Sequence, residues 1–324
     1  MGIVVTMAVV AMGCGRSGAK AGGAEAVEAS VAGLHGTTCG VEVAEASTGI
    51  ECVHYGSALE AFEDALATGG SSGTGEATAA PLVLGLGEVH APAGVAVASA
   101  AKRFTTELLP ALDGRASDLL LELMMPPRGC ADAVAEVRHD QAPVTEQHAA
   151  SDQDEYVAMG DRARALGIVP DMLRPTCADM DAIKHAGDDL VDVSLSTIAR
   201  LARDQGARMV DRDALSDADR GKTVVLYGGS LHNDLDPPAE AARWSYALAL
   251  AAQAERQRGR FVAVDLIVPE FIGQGAVWQN LPWWPAYEAL ASSRDHARLQ
   301  AKATLFRTGP ASFVLLFPSS APPP

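Results

Sequence analysis

The stretch Leu82-Val83-Leu84-Gly85-Leu86-Gly87-Glu88-Val89-His90 decides the fold class. Its first five residues are an apolar run without alternation, the pattern of a strand buried on both faces, and polar residues stand where the run ends. Helical spacing follows from Gly94 to Leu109. Asp118 to Leu123, Thr223 to Tyr227 and Phe261 to Val268 repeat the buried-strand signal, while Asp152 to Leu166 is helical and Leu190, Val193, Thr197, Ile198 and Leu201 share one helical face. Asp236-Pro237 reads as the N-cap and first residue of a helix running to about Gln257. Ala303 to Phe306 and Phe313 to Phe317 flank the turn Thr308-Gly309-Pro310 as a closing antiparallel pair. Strands alternating with helices predict an α/β fold over 81–318: a largely parallel central sheet, helices on both faces, and an antiparallel hairpin at one edge. The polar, Pro-bearing stretch Pro126 to Ala150 is expected as an excursion over the site, and 319–324 as a disordered tail.

The remaining composition narrows the class. The chain has 324 residues, 48% of them apolar and 20% charged, which describes a folded globular protein and not a disordered one. Lys+Arg 25 against Asp+Glu 41 gives −16, so a broad basic surface for nucleic acid is excluded. The expected partner is a small-molecule or peptide substrate.

The first residues stand apart from the fold. Met1 to Gly13 carry no charged side chain, and the apolar run Ile3 to Met12 has signal-peptide length, too short to span a bilayer. It ends in Ala11-Met12-Gly13-Cys14, which resembles a bacterial lipobox and implies a lipidated Cys14, a Gly/Ala/Ser-rich tether over 14–36 and membrane contact through the lipid alone. An ordinary secretory signal or a misplaced start is the other reading. The expected location is the bacterial cell envelope. With Cys14 set aside four cysteines remain, and chain order suggests Cys39 with Cys52 and Cys130 with Cys177. The first pair would staple a hairpin with its turn near Ser47-Thr48-Gly49, followed over 37–80 by a short helix, Ala58 to Leu66, and a linker.

In a parallel sheet, ligands bind beyond the carboxyl ends of the strands, so the polar residues there are candidates for the site. Glu88 and His90 follow the first strand at i, i+2 spacing, which points both to one side of an extended chain. Glu122 ends the second strand inside Leu119-Leu120-Leu121-Glu122-Leu123, and His232 follows the third in Gly228-Gly229-Ser230-Leu231-His232. An ionised carboxylate in an apolar strand costs several kcal/mol unless it is paired, so Glu122 needs His90 or His232 nearby. Two chemistries suit this set. His90, Glu122 and His232 could hold zinc or manganese with one Glu as general base, or a Glu–His pair could activate water directly. A buried hydrogen-bonded pair without function is the structural alternative. Ser230 as nucleophile is a runner-up, because His232 replaces the final Gly of a nucleophile elbow. Asp265 either orients His232 or caps a backbone group. Arg174, beside Cys177, Asp179 and Asp181 in a loop-like stretch, reads as a surface ion pair or a carboxylate binder. Trp278, Trp283 and Trp284 wall a ligand site or cover a core edge. His35, His54, His139, His148, His185 and His296 are expected to be solvated.

Gly87-Glu88-Val89-His90, then Glu122 closing an apolar strand, then Gly228 to His232 resembles the ChaN-like haem-binding proteins and their relatives, the Tiki, TraB and erythromycin-esterase superfamily. The likeness covers Pro81 to Val268. It implies Glu88, His90, Glu122 and His232 at an active site. The superfamily includes metal-dependent peptidases, esterases that activate water through Glu and His, and a haem-binding lipoprotein. For this chain the resemblance implies hydrolysis of an ester, amide or peptide bond, or else non-catalytic haem or iron binding with Tyr227 or a His as axial ligand. Ala91 stands where ChaN-like chains tend to have Asp.

Overall fold

The computed structural model describes residues 36–39, 50–68, 80–125, 127–145, 152–273 and 275–320. The signal and Cys14, the turn near Ser47 and most of the linker lie outside them. Among the described residues, nine strands form one sheet, ordered β1-β2-β8-β9-β7-β3-β6-β4-β5. Its parallel part contains β3 (Val83–Glu88), β4 (Ala116–Met124), β5 (Val169–Leu173), β6 (Thr223–Gly229), β7 (Phe261–Ile267) and β9 (Ser312–Leu316). Antiparallel pairing then adds β8 (Ala303–Gly309), β2 (Glu51–Tyr55) and β1 (Thr37–Thr38). The fold is the α/β class that the alternating pattern predicts, with the β8–β9 hairpin extended outward by β2 and β1.

Both faces of the sheet are covered, which is why β3, β6 and β7 are largely apolar and not alternating. One face packs Leu84, Leu86, Leu121, Val225 and Val264 against α1 (Ala58–Thr68), α2 (Ala100–Arg103) and α4 (Asp152–Ala165). The other packs Leu120, Leu226, Phe261 and Ala263 against α3 (Ala131–Thr145), α5 (Cys177–Lys184), α6 (Leu190–Leu215) and α7 (Ala247–Arg256). A third cluster, with Trp283, Leu290, Phe306 and Leu316, closes the antiparallel end. The Trp loop therefore covers a core edge. From the neighbours β3 and β6 the chain leaves in opposite directions, to β4 over the first face and to β7 over the second. Such a divergence opens a crevice at the carboxyl ends of the two strands.

Several expectations are corrected. The excursion after β4 holds a helix, α3, whose Ala133, Val134 and Val137 are buried at helical spacing under a polar composition. Its start is tied to that of α5 by Cys130–Cys177, with Cα atoms 5.7 Å apart, while Cys39–Cys52 joins the end of β1 to β2 at 5.4 Å. The loop-like stretch around Cys177 is α5, begun by a capping box between Thr176 and Asp179. Arg174 is exposed and paired with Asp171. No helix starts at Gly94, which has φ +79°; α2 begins after Ser99, whose hydroxyl accepts from the Lys102 N–H, and continues as a π turn and a 3-10 turn to Leu112. The helix expected from Asp236-Pro237 begins at Ala247, because Pro238 disfavours helical geometry at Pro237. His54 is buried, its Nδ1 2.9 Å from Thr304 Oγ1, and burial lowers its pKa. His139, His185 and His296 are exposed, while His35 and His148 lie outside the described residues. Ser319, assigned to the tail, is tied to Glu270 and to the Gln300 carbonyl. Among the described residues no helix is long and apolar enough to cross a membrane.

Two glycines decide how close the crevice walls come. Gly87 of β3 is in register with Gly228 of β6 on one side and with Asp265 of β7 on the other. A methyl on Gly228 would land on the Glu122 carboxylate, and one on Gly87 would lie 2.6 Å from Ser230 Cα. The bare backbone lets the turn after β6 fold down onto the row. Gly228→Ala is therefore expected to lower the urea-unfolding free energy by about 1–3 kcal/mol, as overpacking does. A change within about 0.5 kcal/mol would mean that Glu122 is not packed on this backbone.

Candidate active site

The structure brings Glu88, His90, Glu122 and His232 to one rim of the sheet. Glu88 is 3% exposed, Glu122 6%, His232 2% and the His90 side chain 7%. The two carboxylates are on opposite faces. Glu88 continues the Leu84–Leu86 side, whereas Glu122 continues the Leu120 side, and His90 crosses the rim between them.

On the first face, Glu88 is the acceptor of a buried cluster. Tyr156 of α4 donates its hydroxyl to Oε1 at 2.8 Å, and Tyr227 of β6 donates to Oε2 at 2.8 Å. The two rings meet edge to face, with centroids 5.4 Å apart, so each phenol is fixed by packing. Burial and the Glu88 charge push the Tyr156 pKa well above its ordinary value, keeping it a donor. His90 Nδ1 lies 3.0 Å from Glu88 Oε1. That distance makes Glu88 the ion-pair partner of a protonated His90, while Nε2 is the ring nitrogen nearer Gly229.

On the second face, the Gly229 N–H donates to Glu122 Oε2 at 2.7 Å, and His232 Nε2 lies 3.6 Å from Glu122 Oε1. The His232 Nδ1–H donates to the Trp244 carbonyl at 2.6 Å. The returning chain is anchored there, since the Tyr246 N–H and the Ser245 hydroxyl both donate to the His232 carbonyl. Burial alone would push the Glu122 carboxyl up; the His232 charge and hydrogen bond, with His90 and the Gly229 N–H, outweigh it and hold the pKa below the ordinary range. Burial alone would lower the imidazole of His232, and the Glu122 charge and the Trp244 carbonyl outweigh it and raise the pKa. Each of the two thus favours the charged form of the other.

The halves converge over Gly229. A methyl carbon built there would lie 3.7 Å from His90 Nε2 and 3.8 Å from both Glu122 Oε2 and His232 Cδ2. The three groups thus line the same side of Gly229.

Of the outer candidates, Tyr227 joins the Glu88 cluster and Ser230 opens the turn, its Cα against Gly87. Asp265 faces Asn233, while His232 is oriented by the Trp244 carbonyl. Sequence reasoning missed Tyr156 and Trp244. A phenol on a helix remote from the strands gives no local signal, and a backbone carbonyl gives none at all. Among the described residues no group of three or more histidine, cysteine, aspartate or glutamate side chains is placed to hold a metal ion. No protein-family model, curated protein or solved structure matches the chain.

In an NMR titration, His232 is expected to change protonation above the ordinary 6.5, and Glu122→Gln to lower the midpoint, because the carboxylate charge is removed and only the Trp244 carbonyl still opposes burial. A midpoint indifferent to the substitution would contradict the pair.

Proposed function

We propose that this chain hydrolyses an ester, amide or peptide bond by paired acid–base catalysis at the rim of β3, β4 and β6. The convergence of His90 Nε2, the Glu122 carboxylate and the His232 ring on one side of Gly229 carries this reading. A water beside His90 gives its proton to Nε2 as its oxygen bonds to the substrate's carbonyl carbon, and Glu88, fixed by two phenols, stabilises the resulting imidazolium. His232, whose charged form Glu122 favours, delivers its Nε2 proton to the leaving oxygen or nitrogen as the bond to it breaks. The Gly229 N–H keeps Glu122 in place.

We also propose export and lipidation at Cys14. Two disulfides fit an oxidising compartment, and the apolar run before Cys14 fits a signal.

Gly229→Ala tests the site with little risk to folding, because Gly229 has φ −66° and ψ 143°, which any residue adopts, and a methyl there meets only ordinary contacts. Against a panel of p-nitrophenyl esters and chromogenic peptides, kcat/KM is expected to fall by about 10²-fold in Gly229→Ala and by about 10²–10⁴-fold in His90→Ala, with unfolding of Gly229→Ala unchanged. Turnover indifferent to both substitutions would overturn the proposal. So would absence of turnover together with a haemin Soret shift that His90→Ala abolishes, which would instead support the haem-binding alternative.

A further inference from the structure

The oxygen that orients His232 belongs to a segment with little regular structure of its own. After His232 the chain turns through Asn233, whose Nδ2 donates to the Gly85 carbonyl at 3.2 Å, and comes back as a 3-10 turn, Ala242–Trp244. That turn is closed by two backbone bonds, from the Trp244 N–H to the Ala241 carbonyl at 2.8 Å and from the Ser245 N–H to the Ala242 carbonyl at 3.3 Å. So short a turn does not fix its own position. Its Trp244 carbonyl nevertheless receives the His232 Nδ1–H at 2.6 Å.

The anchor is a carboxylate on a different element. Asp192 stands in the first turn of α6, and its Oδ1 accepts from the Trp244 indole N–H at 2.7 Å and from the Arg243 Nε–H. The Arg243 guanidinium lies over the Trp244 ring, 5.7 Å from its centre. One oxygen thus ties two successive residues of the turn to a 26-residue helix whose Leu195, Ile198 and Ala202 are buried in the second-face core. Both donors bond to an ionised acceptor, the stronger class of hydrogen bond. The Asp192 side chain is 32% exposed, so replacing it leaves the core intact.

The consequence reaches the imidazole. Which ring nitrogen is available on one side of a histidine is set by the bond that the other makes. With Nδ1–H on the Trp244 carbonyl, Nε2 is the nitrogen left facing Glu122, 3.6 Å from Oε1. We propose that Asp192 is a positioning residue for His232: through the Trp244 indole it fixes the carbonyl that holds the Nδ1–H, and so sets which nitrogen is presented at the rim. Its value to catalysis rests on His232 being the proton donor proposed above, whereas the anchoring does not.

The test therefore avoids turnover. In 15N-labelled protein at about neutral pH, the His232 Nδ1–H, assigned by its loss in His232→Asn, is expected to exchange slowly with water. Asp192→Ala is expected to speed that exchange by about tenfold or more, the scale of one hydrogen bond to a charged group acting on a local opening. Trp244→Phe keeps the carbonyl and an aromatic ring but has no indole N–H, and is expected to lose protection likewise. The double variant is expected to exchange no faster than Asp192→Ala, because both changes remove the same bond. Asp192→Asn keeps an acceptor oxygen and is expected to retain most of the protection. Exchange unchanged in Asp192→Ala and Trp244→Phe would overturn the proposal, and so would a loss confined to Asp192→Ala, which would bypass the indole. These outcomes are read whether or not the chain hydrolyses an ester, so failure of the hydrolase reading is seen separately.

Discussion

A carboxylate at the end of a buried apolar strand is the constraint on which this molecule's rim is built. Left alone, ionised Glu122 would cost several kcal/mol, more than burying one leucine beside it returns. Its charge survives because three groups reach it: a backbone N–H from β6, and imidazoles from the loops after β3 and β6. Those groups arrive only because β3 and β6 present glycine to each other, letting a turn fold onto the sheet where side chains would otherwise stand. The electrostatics of the rim thus follow from backbone register.

The same rim joins two environments. On one face Glu88 is immobilised by two phenols that are themselves locked in the core; on the other Glu122 is paired with an imidazole whose far nitrogen is held by a backbone carbonyl. His90 spans the edge and touches both systems. Strands whose continuations diverge to opposite faces leave this edge uncovered by their own crossovers, which is why a sheet sealed on both faces can still present polar groups at one end.

Much of this was legible in the chain. Doubly buried strands are unbroken apolar runs, so β3, β4, β6 and β7 stood out, and polar residues at their ends followed from the sheet rule. Glu88 and His90 were readable because i, i+2 spacing has a geometric meaning in extended chain. The edge strand β5 was not, since Pro170 and Asp171 dilute its pattern, and α3 was concealed by its polar exposed side. Tyr156, Asn233 and the Trp244 carbonyl act through pairings across distant segments, which no local signal encodes. The same holds for Gly87 and Gly228, whose purpose appears only once β3 and β6 are in register.

The most direct measurement is a double-mutant cycle on Glu122 and His232, using Glu122→Gln, His232→Asn and the double variant in urea unfolding at about neutral pH. A rim organised around this buried pair predicts a favourable coupling of about 0.5–3 kcal/mol. Free energies that add to within about 0.3 kcal/mol would show that the two side chains do not hold each other, and that the rim is organised around something else.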